Sequence, residues 1–254
     1  MTAQIASVTV LVHGLCRNFG TRIAVREIDL ELKCGEVLGF LGPNGAGKTT
    51  IMRMLTGNLG PSAGHIEICG MDLLDKPRDA KARIGYLPEI PPLYRELTVN
   101  EYLQLAARLH RVSNAKIHFS RDKVMQRCGL TGTGKRLIGS LSKGYQQRIG
   151  IAQAIIHDPD VIILDEPTAG LDPNQLREIR ALIRELGAER SVILSTHILP
   201  EVESVCDRVQ IIHEGRTVFC GSVGELKLKE TSLEETFMRF TMSTNNSESF
   251  TSLP

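Results

Sequence analysis

The segment Gly42-Pro43-Asn44-Gly45-Ala46-Gly47-Lys48-Thr49 matches the pattern G-x-x-x-x-G-K-[ST], which binds phosphate. Its glycines let the loop turn amide N–H groups inward, where they cradle phosphate oxygens at a helix N-terminus. Lys48 then sits on the β- and γ-phosphates, and the Thr49 hydroxyl binds Mg²⁺, with Thr50 next in the same turn. A second set of groups lies downstream. The apolar run Val161-Ile-Ile-Leu164 leads into Asp165-Glu166. A carboxylate at that strand end can hold Mg²⁺ directly or through water, and an adjacent glutamate can orient and deprotonate a water for in-line attack. His197 ends the next apolar run, Val192–Ser195, through Thr196. In a parallel sheet that position faces the ligand crevice and suits a γ-phosphate contact. Gly129-Leu-Thr-Gly-Thr-Gly134-Lys135 looks similar to the phosphate loop. However, Arg136 replaces the hydroxyl residue and no strand precedes it, so it reads as a loop.

These groups need strands to carry them. Val8–Leu15, Glu36–Leu41 and His65–Ile68 read as strands, the second ending at the glycine-rich loop and leading to a helix over 49–55. From about Glu89 to Asp158 the period becomes helical. Val99, Tyr102, Leu103, Ala106 and Leu109 form one apolar face, and Thr98 with Glu101 makes a capping box. Strands return at Val161–Leu164, Val192–Ser195 and Val209–His213. Between the first two, Asp172 caps a helix with Pro173 at its first position. Leu176, Ile179, Ile183 and Leu186 supply its buried stripe, and Gly187 ends it. This alternation predicts an α/β sheet with a parallel core. Ser222/Glu225 and Ser232/Glu235 cap two short helices, and the Ser-, Thr- and Asn-rich stretch from Thr241 reads as disordered.

Composition narrows the class. The 254 residues include 30 basic and 29 acidic side chains, a formal net charge of +1 that gives no footprint for nucleic acid. No apolar run approaches the ~20 residues of a membrane span, and MTAQIASVTV lacks the basic region of a secretory signal. The six cysteines, Cys16, Cys34, Cys69, Cys128, Cys206 and Cys220, form no CxxC pair. They are expected to be mostly buried, reduced thiols.

Leu141-Ser142-Lys143-Gly144-Tyr145-Gln146-Gln147-Arg148 resembles the signature of the ATP-binding cassette family, the nucleotide-binding subunits of ABC transporters. The order of motifs is also similar: phosphate loop, signature, Asp165-Glu166, Ala169-Gly-Leu-Asp172 as D-loop, then His197 as switch histidine. The resemblance runs from about Val8 to Phe240. It implies a P-loop NTPase, RecA-like core (about 8–88 and 159–220) with an N-terminal β-subdomain and an inserted helical subdomain (about 89–158). A helical extension (221–240) and a tail (241–254) follow. It implies ATP and Mg²⁺ as cofactors, with Mg²⁺ on Thr49 and Asp165, and catalysis by Glu166, His197 and Lys48. It also implies a head-to-tail dimer with the same or a related cassette, in which Ser142 and Gly144 of one subunit face the ATP of the other. Phe19 matches the aromatic that stacks on adenine, although a core phenylalanine would read the same way.

Two motifs depart from the family pattern. Lys143 and Tyr145 stand in a signature whose common form is Ser-Gly-Gly-Gln, and Glu89 replaces the usual Q-loop glutamine. Tyr86-Leu-Pro-Glu89 and the Ser-Lys-Gly-Tyr form resemble cassettes paired with ABC-2-type export permeases. This implies an integral-membrane partner and a position at the cytoplasmic face of the membrane. Cassette ATPases that act on DNA carry long coiled-coil insertions, and those of translation carry two cassettes in tandem. This chain shows neither, and no nucleic-acid partner is expected.

Overall fold

The computed structural model describes residues 7–227. The second capping box, at Ser232/Glu235, and the stretch from Thr241 lie outside them. The chain opens with a long antiparallel hairpin, β1 (Val8–Phe19) and β2 (Arg22–Lys33). In β2 the buried Ile28, Leu30 and Leu32 alternate with Asp29, Glu31 and Lys33, so one face is apolar and the other wet. Next come β3 (Val37–Leu41), α1 (Lys48–Leu55), β4 (Ala63–Ile68), β5 (Met71–Asp72), α2 (Pro77–Ala82) and β6 (Ile84–Leu87). Helices α3 (Val99–Leu109) and α4 (Asn114–Arg127), a 3-10 turn at Ile138–Ser140 and α5 (Lys143–Ile155) separate β6 from β7 (Val161–Asp165). The chain then alternates through α6 (Pro173–Glu189), β8 (Ser191–Thr196) and α7 (Leu199–Val205). The described residues end with β9 (Arg208–His213), β10 (Arg216–Ser222) and α8 (Val223–Lys227).

Two sheets result. The smaller is antiparallel, in the order β2-β1-β4-β5. The larger runs β10-β9-β3-β8-β7-β6 and is parallel except for β10. Residues of β3, β7 and β8 are buried without exception, because both faces of the larger sheet are covered. Leu38, Phe40, Ile163 and Ile193 join the cluster that includes α1 and the smaller sheet. Val37, Leu41, Ile162 and Leu194 join the cluster that includes α5, α6 and α7. The expected α/β architecture with a parallel core is what forms.

Local expectations meet mixed outcomes. The α3 capping box closes as expected, with Thr98 N–H donating to Glu101 Oε2 at 2.8 Å and Glu101 N–H to Thr98 Oγ1 at 3.3 Å. Leu109, placed on the buried face by periodicity, is 72% exposed in the last turn of α3, beyond the packed stripe. Asp172 caps α6 by accepting from the Asn174 and Gln175 amides. Ile179, Ile183 and Leu186 are buried, joined by Leu182, while Leu176 is only half-buried. Gly187 does not end α6, which runs on to Glu189. It is a packing glycine: a Cβ there would lie 2.2 Å from Val37 Cγ2 on β3, so its absence lets the helix sit against the sheet. The cysteines are free, but only Cys128 and Cys206 are buried. Cys34 and Cys220 are exposed, lying at strand ends and edges rather than beneath a helix. Gly187→Val should therefore cost about 2–3 kcal/mol by overpacking, read as a lower urea midpoint with unchanged slope.

Candidate active site

The site forms where β3, β7 and β8 end side by side. Leu41 leads into Gly42, where the chain passes so close to β9 that a Cβ would meet the Ile212 carbonyl oxygen at 2.2 Å. Gly47 caps α1 in the left-handed region at φ 109°, and the Ile51 N–H begins the helical ladder on its carbonyl. The loop is also tied to its surroundings through Gly215, whose N–H donates to the Ala46 carbonyl at 2.9 Å. The Gly215 carbonyl accepts from Arg26 N–H of β2 at 2.8 Å. Lys48, 6% exposed, curls back so that Nζ donates to the carbonyls of Gly42 at 2.7 Å and Pro43 at 3.3 Å. Nζ also lies 3.7 Å from Glu166 Oε1. Burial pushes the Lys48 ammonium below its ordinary value, against the opposing pull of Glu166 and Asp165.

Asp165 is 1% exposed and is paired across the parallel register with Ser195. Ser195 Oγ donates to Asp165 Oδ1 at 2.5 Å, and Thr49 Oγ1 lies 3.5 Å from the same oxygen. The other oxygen, Oδ2, is buried without a hydrogen-bond partner among the described residues. A buried, acceptor-only oxygen beside a threonine hydroxyl is suited to a hard cation. Asp165 and Thr49 therefore fit Mg²⁺, which takes few protein ligands and leaves the rest to phosphate and water.

Glu166, 8% exposed, adopts φ 49°, a left-handed backbone that turns its side chain out of the strand line. Its N–H donates to Ser195 Oγ at 3.0 Å and lies 3.2 Å from the Ser195 carbonyl oxygen, which fixes that turn. His197 Nδ1 lies 3.0 Å from Glu166 Oε2 and 3.2 Å from Oε1. A carboxylate only accepts, so the Nδ1 proton supplies this contact and Nε2 is not used in it. One cleft of about 340 Å³ gathers Asn44, Gly45, Gly47, Lys48, Thr49, Thr50, Glu89, Glu166 and His197. Arg22 and Ala24 of β2 also line it, and neither was indicated by the sequence because β2 was not read as a strand. Ser195 was missed as a functional group too. The signal available was a hydroxyl near the end of the strand that carries His197.

Three predicted residues lie elsewhere. Ser142 is exposed and caps α5, accepting from Tyr145 N–H at 3.5 Å. Gly144 packs against the Gln175 side chain of α6, and Lys143 reaches across Gly170. None of these lines the cleft. Phe19 is 46% exposed with the Arg17 guanidinium 4.6 Å from its ring centre, so it is not a core residue, and it too lies outside the cleft lining. Gly129–Lys135 is a loop, with Asn100 N–H donating to the Gly134 carbonyl.

A glycine-rich loop opening a helix, beside a strand-end Asp-Glu pair on a parallel sheet, defines a P-loop nucleoside triphosphatase. The chain belongs to the ABC transporter ATP-binding family, whose model, described as "ABC transporter", matches residues 25–169. It is 41% identical over 204 residues to the bacitracin transport ATP-binding protein BcrA of Bacillus licheniformis, covering 80% of this chain and 66% of that protein. It is 41% identical over 211 residues to the ABC transporter ATP-binding protein NatA of Bacillus subtilis, covering 82% and 86%. The daunorubicin resistance ATP-binding protein DrrA3 of Streptomyces coeruleorubidus is 36% identical over 223 residues, covering 87% and 71%. Among solved structures, an ATP-binding subunit of an ABC transporter superposes with a TM-score of 0.82 at 30% identity, covering 91% of this chain and 99% of that one. The protein is thus an ATP-binding transporter subunit whose ATPase activity is coupled to transport.

Lys48→Ala should weaken ATP binding at least about tenfold in a fluorescence titration, the equivalent of one lost charge-assisted hydrogen bond.

Proposed function

We propose that this chain drives export through a separate ABC-2-type permease by closing and opening a head-to-tail pair of cassettes at the cytoplasmic face of the membrane. The observation that carries this reading is the separation of Ser142 and Gly144 from the cleft. One chain gathers Lys48, Glu166 and His197 in its cleft, yet its exposed Ser142 heads a helix that does not line that cleft. A second cassette turned head to tail brings that helix N-terminus onto the bound triphosphate, where amides and dipole favour negative charge.

In each cleft, Lys48 leaves the Gly42 and Pro43 carbonyls for the β- and γ-phosphates. Thr49 and Asp165 would hold Mg²⁺, which when bound would neutralise charge on the phosphate oxygens. Glu166 takes a proton from the attacking water, and His197 is positioned at the γ-phosphate while its Nδ1–H holds Glu166. Glu89 lines both the cleft and a neighbouring groove that includes Ile90, Pro91, Leu93 and Gln146. Ile90, in that groove, is 82% exposed, an apolar side chain suited to contact with a permease segment. Through Glu89 that groove shares a wall with the phosphate site, which is how closure reaches the partner. In this reading the spanning path belongs to the partner. Among the described residues no helix is long and apolar enough to cross a membrane. Export as the direction of transport is supported by the names of relatives, which include a Nod factor export protein and the daunorubicin resistance protein.

Glu166→Gln keeps the shape of the cleft but removes the base. It should lower steady-state turnover at least about a hundredfold and leave an ATP-dependent dimer on size exclusion. Wild-type turnover in that variant would sink the assignment. A tagged copy purified from detergent-solubilised native membranes should bring down a multi-spanning protein. Recovery of soluble or nucleic-acid partners alone would overturn the pairing with a separate ABC-2-type permease proposed here.

A further inference from the structure

Behind the Glu166–His197 pair, two hydroxyls converge on a third carboxylate. Glu201 lies in the first turn of α7 and is 2% exposed. Its Oε1 accepts from Thr168 Oγ1 at 2.5 Å and its Oε2 from Thr196 Oγ1 at 2.6 Å. Arg180 of α6 places Nη2 3.9 Å from Oε1. Thr168 follows Glu166 by two residues, within a tight turn that the Ala169 N–H closes on the Glu166 carbonyl at 3.1 Å. Thr196 immediately precedes His197, and its hydroxyl oxygen also accepts from Ile198 N–H at 3.0 Å, so it brackets the histidine backbone. Each member of the pair is therefore held, one or two residues away, by a hydroxyl fixed on the same carboxylate.

Such a group is costly as a purely structural device. Buried ionic networks often give no more stability than apolar residues of the same volume, whereas hydrogen bonds to a buried charge are short and directional. We propose that Glu201 is a positioning residue that fixes the spacing between Glu166 and His197 and transmits any displacement of the turn at 166–171 to the histidine loop. It does not touch ATP and acts only through the two segments it joins. The inference rests on the assignment of Glu166 and His197 to hydrolysis, and its test is arranged to separate the two.

The test measures single-turnover ATP hydrolysis and ATP affinity on the purified full chain. Glu201→Gln leaves one acceptor oxygen for two hydroxyls, and Thr168→Val removes one hydroxyl while keeping the volume. Each should slow hydrolysis roughly 10- to 100-fold with ATP affinity held within about twofold, and Thr168→Ser should restore the rate. In a His197→Ala background, Glu201→Gln should cost several-fold less than it does in the wild-type chain, since one of the two groups whose spacing it sets is gone. Equal fold losses in both backgrounds, or Thr168→Ser as slow as Thr168→Val, overturn the proposal. Loss of ATP affinity in parallel with rate overturns it as well. Should Glu201→Gln not fold, the Thr168→Val and Thr168→Ser pair decides alone. If His197→Ala leaves the rate untouched, the site assignment itself fails, an outcome distinct from equal losses in two impaired backgrounds.

Discussion

Asp165 is a carboxylate held almost wholly away from water at the end of β7, and the surrounding structure accommodates that charge. One oxygen takes the Ser195 hydroxyl at 2.5 Å and the other has no partner among the described residues. An isolated charge in the interior is tolerated only where cations or dipoles face it. Here the N-terminus of α1 points into the same region, Lys48 lies nearby, and Thr49 presents its hydroxyl. Ser195 serves twice, accepting the Glu166 amide while donating to Asp165, so the two carboxylates share one anchor. The side-by-side strand ends, the left-handed turn at Glu166 and the retracted lysine all belong to this one arrangement.

The scaffold beneath it is stiff because the larger sheet is buried on both sides. Alternate residues of β3, β7 and β8 enter two different hydrophobic clusters, so neither face can relax into solvent. Movement is more readily accommodated in the segments beyond the strand ends, and those segments carry Glu89, Glu166 and His197. The loop at 166–171 and the signature helix also meet, Lys143 lying across Gly170. A change at the phosphate site thus has a short mechanical route to the surface that bears Ser142.

Much of this was legible in the sequence. The phosphate loop, the Asp165-Glu166 pair and His197 are local patterns of residue type at strand ends, and the cleft gathers residues from all three. The large antiparallel strand β2 was not read, although Ile28, Leu30 and Leu32 alternate plainly, because its charged residues are as frequent as its apolar ones. β6 is only four residues long and contains Gly85, too short for periodicity to register. Gly187 was read as a helix stop because glycine usually punctuates. Its reason, the approach of Val37, comes from a strand 150 residues away and has no local trace. Ser195, Thr168 and Glu201 gain their meaning only from the register of β7 against β8 and the placement of α7.

The hydrogen bonds of Gly215 bear on how the molecule melts. Its amide holds the phosphate loop at Ala46 while its carbonyl holds β2 at Arg26, so one residue joins the loop to the smaller sheet. The loop in turn grows out of β3 at the centre of the larger sheet. The phosphate loop is therefore a seam between two layers as well as a receptor. Occupying it ties those layers together, and by linkage every increment of nucleotide affinity becomes resistance to their separation. For this chain, occupancy of the nucleotide site and integrity of the fold are linked equilibria, each strengthened by the other.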